Sequence, residues 1–302
     1  MSAAVSEATQ AARTRRQSLH VVLPALRPRQ WTKNLLLFAG LLFAAKLGDG
    51  VRWLEAGAAF TAFCAVSGAS YLANDVRDAA RDRLHPTKRR RPVAARTLSP
   101  ALALNVAALL AFAALALGAT LGARFELLLS AFLILQAVYT LKLKKLPVVD
   151  VAAIGGCFVL RAAAGAAAVR VHISPWLLLC TALLALVLGF AKRRAELVHA
   201  TVADPPPRAV LRRYSRKLLD PLITSVAIAT MVAYIAYTLA APEQRELAPT
   251  VAFVAFGLAR YLWLVHHDDL GEEPERILLA DGGVRGAVLL WAVTAGLILT
   301  VA

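Results

Sequence analysis

Asn74, Asp75, Asp78 and Asp82 fall within nine residues at the end of an apolar run. At roughly 100° per residue an α-helix sets them at about 0°, 100°, 40° and 80°, so one helix face carries three carboxylates and an amide. Like charges at these spacings destabilise a bare helix, and carboxylates near bilayer depth are costly. A shared cation relieves both, and hard oxygen ligands beside a phosphate substrate select Mg²⁺. The competing reading is a solvated helix end neutralised by Arg77 and Arg81.

Six residues past Asp82, prolines bracket four consecutive cations, Lys88, Arg89, Arg90 and Arg91. Guanidinium forks and ammonium groups bind phosphate oxygens, and Lys88 and Arg89 lie close enough to the acidic face to share a diphosphate with its metal. Arg90 and Arg91 serve equally well as anchors on the inner side of a membrane. Arg161 stands inside an apolar run, where an arginine needs a partner or a polar cavity. It reads as a phosphate contact, with Glu196 or Asp150 as candidate partner. Of Tyr139, Lys142 and Asp150, the last is the best site residue. Tyr139 also suits the interfacial belt and Lys142 an inner anchor. Trp31 reads as interfacial and Lys33 as a phosphate-binding candidate. His266, His267, Asp268 and Asp269 are adjacent residues that diverge on a helix and read as a solvated loop. Cys64, Cys157 and Cys180 sit in apolar stretches without a CxxC pair, which indicates neither zinc nor a disulfide framework.

The elements that must hold these groups are membrane helices. The 302 residues are 59% hydrophobic and 18% charged, with mean hydropathy +0.62. This excludes a water-soluble enzyme, a disordered binder and a secreted disulfide scaffold. Apolar runs at about 35–48, 56–74, 101–121, 125–141, 148–169, 174–191, 221–241, 248–265 and 284–302 predict an all-α polytopic membrane protein with nine transmembrane helices. The first run is short, broken by Gly40, and begins near Trp31. No linker or low-complexity tract divides the chain, so a cytoplasmic N-terminal tail over 1–26 and one helical domain over 27–302 are expected. The first thirty residues are arginine-rich without an apolar run of signal-peptide length.

Loop charge predicts orientation. Basic residues crowd the connections after the second, fourth and sixth runs, among them Arg83 and Arg96, Lys142, Lys144 and Lys145, then Arg208, Arg212 and Lys217. The alternate connections hold few, namely Lys46 and Arg52, Arg124, Arg170 and Arg245. The N-terminus and the acidic face are therefore expected in the cytoplasm and the C-terminus outside. The net charge of +15 points to inner loops and anionic substrates rather than nucleic acid.

Asn74, Asp75, Asp78 and Asp82 resemble the first aspartate-rich motif, NDxxDxxxD, of the UbiA superfamily of intramembrane prenyltransferases. The resemblance runs from about Arg27 to the C-terminus and implies that superfamily's nine-helix bundle. Further segments, Arg27 to Asn34, Asp82 to Pro92, Leu146 to Val151, Leu160 to Gly165 and Gly189 to Leu197, are similar to the superfamily's actinobacterial phosphoribosyl-transferring branch. Members of that branch move the 5-phosphoribosyl group of phosphoribosyl pyrophosphate onto decaprenyl phosphate, in making the arabinose donor for cell-wall arabinan.

The second acidic motif usual in the superfamily, DxxxD, has no counterpart here. Its place holds Lys192, Arg193 and Arg194, with Asp204 and Asp220 standing alone. The resemblance implies Mg²⁺ on Asp75, Asp78 and Asp82, and Lys192 and Arg193 as catalytic cations. Lys33, Asn74, Lys88, Arg89, Arg161 and Arg194 would bind substrate phosphate, with Tyr139, Lys142, Asp150 and Glu196 as secondary candidates. The implied partners are phosphoribosyl pyrophosphate, a polyprenyl phosphate lipid and a bacterial inner-membrane bilayer, with a homo-oligomer allowed and no nucleic acid. Two alternatives stay open: prenyl transfer from a prenyl diphosphate to an aromatic or other acceptor, and a transporter or flippase, which predicts inverted halves or interrupted spans.

Overall fold

A computed structural model describes residues 20–43, 48–85, 87–172, 174–200, 209–240 and 242–301. Every regular element among them is helical. A 3₁₀ stretch Pro28–Phe38 leads into α1 (Ala39–Phe43), α2 (Gly50–Arg83), α3 (Pro100–Leu121), α4 (Ala123–Leu141), α5 (Val149–Ala168), α6 (Pro175–Ala200), α7 (Arg216–Ala240), α8 (Val251–His267), α9 (Pro274–Ala280) and α10 (Gly282–Val301). Eight helices in the described residues are long and apolar enough to cross a membrane. They coincide with the second to ninth apolar runs. The first run falls on the 3₁₀ stretch, α1 and residues 44–47, which lie outside the described residues, as do residues 1–19 of the expected tail.

Local chemistry sets the helix ends. The Asp49 carboxylate caps α2, accepting from the N–H groups of Val51 at 2.9 Å and Arg52 at 3.3 Å. Ser99 caps α3 ahead of Pro100 through the N–H of Leu102 at 3.2 Å. Gly122, at φ 107°, makes the whole break between α3 and α4. With 34 residues, α2 is about 51 Å long, against a hydrocarbon core of about 30 Å. Its last turns therefore project beyond the apolar stretch as a polar extension, and these turns carry the acidic face.

Helices α2 and α5 are the two most buried of the eight crossings. Alanine and glycine make this possible, because small side chains let backbones approach. A Cβ on Gly165 would fall 2.2 Å from the Leu37 carbonyl oxygen, so the 3₁₀ stretch lies directly against α5. That contact brings Asn34 and Arg27 into the bundle. Side-chain bonds between Lys144 and Asp78, Tyr214 and Val148, and Arg194 and Asp269 tie the connections following α4, α6 and α8 to one end of the molecule. Arg170 and Glu55, 3.7 Å apart, mark the other end.

Candidate active site

The acidic face divides into two positions. Asp75 and Asp82 are buried, at 1% and 3% exposure, and share one guanidinium: Arg91 Nη1 lies 3.2 Å from Asp75 Oδ1 and 2.7 Å from Asp82 Oδ2. Arg27 donates to the same Asp75 oxygen while its guanidinium covers the Tyr71 ring at 4.8 Å. Asn74 and Asp78 turn toward Lys144, whose Nζ is 3.2 Å from Asn74 Oδ1 and 2.8 Å from Asp78 Oδ2. The split follows the helical wheel, with Asn74 and Asp78 at one edge of the arc and Asp82 and Asp75 at the other. The three carboxylates that the sequence expects as one ligand set thus meet two different sets of basic partners. Among the described residues no three acidic, histidine or cysteine side chains converge as a metal cluster.

The donor chemistry of Asp75 and Asp82 nevertheless fits a hard divalent cation. Asp75 Oδ2 is buried without a hydrogen-bond partner, and a buried carboxylate oxygen with no donor is an uncompensated cost. Two carboxylates already drawn onto one cation at Arg91 are also spaced to share another.

The basic connection stands beside this face. Lys88, Arg89 and Arg90 form a 3₁₀ turn whose start is held by His85, its Nδ1 accepting the N–H of Thr87 at 3.3 Å and Lys88 at 3.4 Å. Burial and then the Lys88 charge hold the His85 imidazole below its usual range, which favours the neutral ring, one of whose nitrogens accepts. Arg89 is exposed and Lys88 half-buried. Lys33 bonds to the Gln30 side chain, Tyr139 is half-buried and Lys142 is exposed.

Arg161 has a different partner from either candidate. It is 4% exposed. Its Nε donates to Asn34 Oδ1 at 2.8 Å and its Nη1 to the Cys157 carbonyl at 3.2 Å, while Phe132 packs on it with its centroid at 4.6 Å. Asn34 in turn donates to Cys64 Sγ at 3.2 Å. Arg161 thus locks the 3₁₀ stretch to α5, and its side-chain contacts reach none of the acidic face.

Asp150 and Glu196 belong to Arg193. Arg193 is fully buried, with Nε 2.7 Å from Asp150 Oδ2 and Nη1 paired to Glu196. Arg194, at 1% exposure, bonds Asp220 at 2.6 Å, Asp269 at 2.7 Å and the Val265 carbonyl at 2.7 Å. The sequence expects both guanidiniums to meet substrate phosphate; here each is drawn onto carboxylates. Their charge is matched by carboxylates from α5, α6, α7 and the connection after α8, so they clamp this end of the bundle. Lys192, the third of the basic trio, is half-buried. The residues that sequence reasoning missed are Arg27, Arg91 and Lys144 on the acidic face and Tyr214 behind it. Arg91 and Lys144 read from sequence as inner-side cations, and Arg27 only as the start of a segment that carries the resemblance.

The UbiA prenyltransferase family model matches residues 35–280. A protein of Mycolicibacterium smegmatis named decaprenyl-phosphate phosphoribosyltransferase is 32% identical over 291 residues, covering 91% of both chains. One of the same name from Mycobacterium tuberculosis is 34% identical over 282 residues, covering 91% of this chain and 93% of its own. The fold is similar to a solved UbiA homologue of Archaeoglobus fulgidus bound to GPP and Mg²⁺, at TM-score 0.74 and 18% identity over 93% of this chain and 100% of that one.

Proposed function

The chain belongs to the UbiA prenyltransferase family, and from that premise we propose that it transfers the 5-phosphoribosyl group of phosphoribosyl pyrophosphate to a polyprenyl phosphate, releasing pyrophosphate. It is a membrane-embedded transferase; the donor, acceptor and metal are our reading. The observation that carries this reading is the acidic face, with its buried pair and its adjoining cations at one end of an apolar bundle. The similarity to named phosphoribosyltransferases over nine-tenths of the chain supports it. On this reading the enzyme works in the bacterial inner membrane with the acidic face on the cytoplasmic side, where the soluble donor is made, in a route to cell-wall arabinan.

Asp75 and Asp82 would hold Mg²⁺, with Asp78 beside them. Mg²⁺ held there would supply positive charge to neutralise the departing diphosphate. Arg91 and Arg27 orient the two carboxylates and leave the unpartnered Asp75 Oδ2 for the metal. Lys144 on Asp78 and Asn74, with Lys88, Arg89 and Lys192 around the same end, places donors where charge develops on the leaving oxygens. The acceptor phosphate is already anionic, so no strong general base is needed and orientation supplies much of the acceleration. Arg193 and Arg194 keep the helices that frame the site in register. Arg161 positions the 3₁₀ stretch that follows Arg27.

The discriminating ligand test compares phosphoribosyl pyrophosphate with a prenyl diphosphate in the presence of Mg²⁺. The proposal expects the former to raise the melting temperature of the purified protein and the latter to raise it less. The reverse order would favour prenyl transfer.

A further inference from the structure

Lys144 reaches Asp78 from the end of a strained turn. The 3₁₀ turn Leu143–Lys145 is followed by Leu146 and Pro147. Val148 then adopts φ 66°, ψ −48°, and the Val149 N–H donates to the Pro147 carbonyl at 2.8 Å. This i to i+2 bond around a positive φ is the rare, strained sense of γ-turn, and for a β-branched residue such a backbone is an outlier. Strain of this kind persists only where the surroundings over-determine it.

Here the surroundings are the backbone bonds from the Asp150 N–H to the Leu146 carbonyl at 2.9 Å and from the Ala152 N–H to the Val148 carbonyl at 2.8 Å, together with one hydroxyl and the ion pair behind it. Tyr214 OH accepts the Val148 N–H at 2.6 Å and donates to Asp150 Oδ1 at 2.7 Å. Asp150, fully buried, is fixed from its other side by Arg193 at 2.7 Å. Tyr214 is itself buried in the core that includes Val151, Phe190 and Leu219. The turn is therefore pinned from a segment 66 residues away in sequence. Immediately before it, the Leu146 N–H bonds the Leu143 carbonyl at 3.0 Å, and the Lys145 N–H bonds the Lys142 carbonyl at 3.1 Å. These bonds leave little slack between the pinned residue and Lys144.

We propose that Tyr214 is a positioning residue, whose hydroxyl fixes the Val148 γ-turn and so sets Lys144 on Asp78, governing how the acidic face divides between its own lysine and a divalent cation. The inference rests on the reading that this face takes Mg²⁺. A loosened turn lets the Lys144 ammonium leave Asp78, removing a like charge that competes with the metal.

The test uses the full chain with Tyr214→Phe, Lys144→Gln and the double variant, and reads two donor-independent signals. These are the Mg²⁺ concentration giving half of the thermal stabilisation and amide hydrogen exchange over residues 142–149. Lys144→Gln is expected to lower the Mg²⁺ midpoint about two- to fivefold, the range of one ion pair. Tyr214→Phe is expected to lower it in the same direction, to speed exchange in the turn, and to add nothing to the midpoint in the Lys144→Gln background, the non-additivity of residues acting through one contact. An unchanged midpoint in Tyr214→Phe, or additive shifts in the double variant, overturns the proposal alone. A wild-type protein that Mg²⁺ does not stabilise refutes the metal reading and this proposal together.

Discussion

Arg91 stands between Asp75 and Asp82, one guanidinium nitrogen within 3.2 Å of the first and 2.7 Å of the second. It joins the basic connection after α2 to the helix that precedes it. It also keeps two buried carboxylates on the same helix from repelling one another.

Arg91→Gln therefore leaves that pair with Arg27 alone, which reaches only Asp75. Removing one partner of a buried ion pair costs about 3 kcal/mol or more. The melting temperature should fall, and Mg²⁺ should recover more of it than it adds to the wild type, because a ligand bound only by the folded state stabilises by mass action. Equal Mg²⁺ increments in both proteins would show that Arg91 and the metal do not share the carboxylates.

Asp75→Asn and Asp82→Asn should each lower kcat about 100-fold or more, near 3 kcal/mol of barrier, while the protein still purifies as a folded species. Steady-state turnover at limiting Mg²⁺ is the measurement. Normal turnover in both variants would reduce the acidic face to a solvated helix end.

Arg193→Ala should destabilise more than Arg194→Ala. The first strands Asp150, which is fully buried, and Glu196 beside it. The second strands Asp220 and Asp269, whose side chains are 36% and 37% exposed and keep much of their hydration. The expected losses are about 3–5 and about 1–2 kcal/mol, measured by thermal unfolding in one detergent. A raised KM with unchanged stability in either variant would restore a direct phosphate contact.

His85 gives a pH dependence. Its folded pKa lies below the ordinary imidazole value, so its stabilising bonds to the Lys88 turn are fully present above about pH 6.5 and are lost as pH falls through the lower, folded value. Amide exchange over residues 87–91, taken relative to the intrinsic rate at each pH, should quicken on acidification in the wild type. It should be faster at neutral pH, and less pH-sensitive, in His85→Ala.

The helices and the acidic face were legible in the sequence because both depend on periodicity within one element. Even the division of the face into Asn74 with Asp78 and Asp75 with Asp82 follows from the wheel. The cations that meet each half were not legible: Arg27 and Lys144 lie 48 and 66 residues from their partners. Arg193 and Arg194 looked like phosphate ligands because they stand where the resemblance would put a second acidic motif, and such a basic trio needs a counter-ion. Sequence could not show that Asp150, Glu196, Asp220 and Asp269 supply it. Tyr214 carries no motif at all. Its role depends on the unusual backbone at Val148, which a Pro-Val-Val run does not announce.

The central claim is tested most directly by following label from the donor. Purified protein given Mg²⁺, a polyprenyl phosphate and phosphoribosyl pyrophosphate labelled in the ribose should move label into the lipid fraction while releasing pyrophosphate, and Asp82→Asn should not. The account is contradicted if ribose label never enters the lipid while label from a prenyl diphosphate appears on an aromatic acceptor.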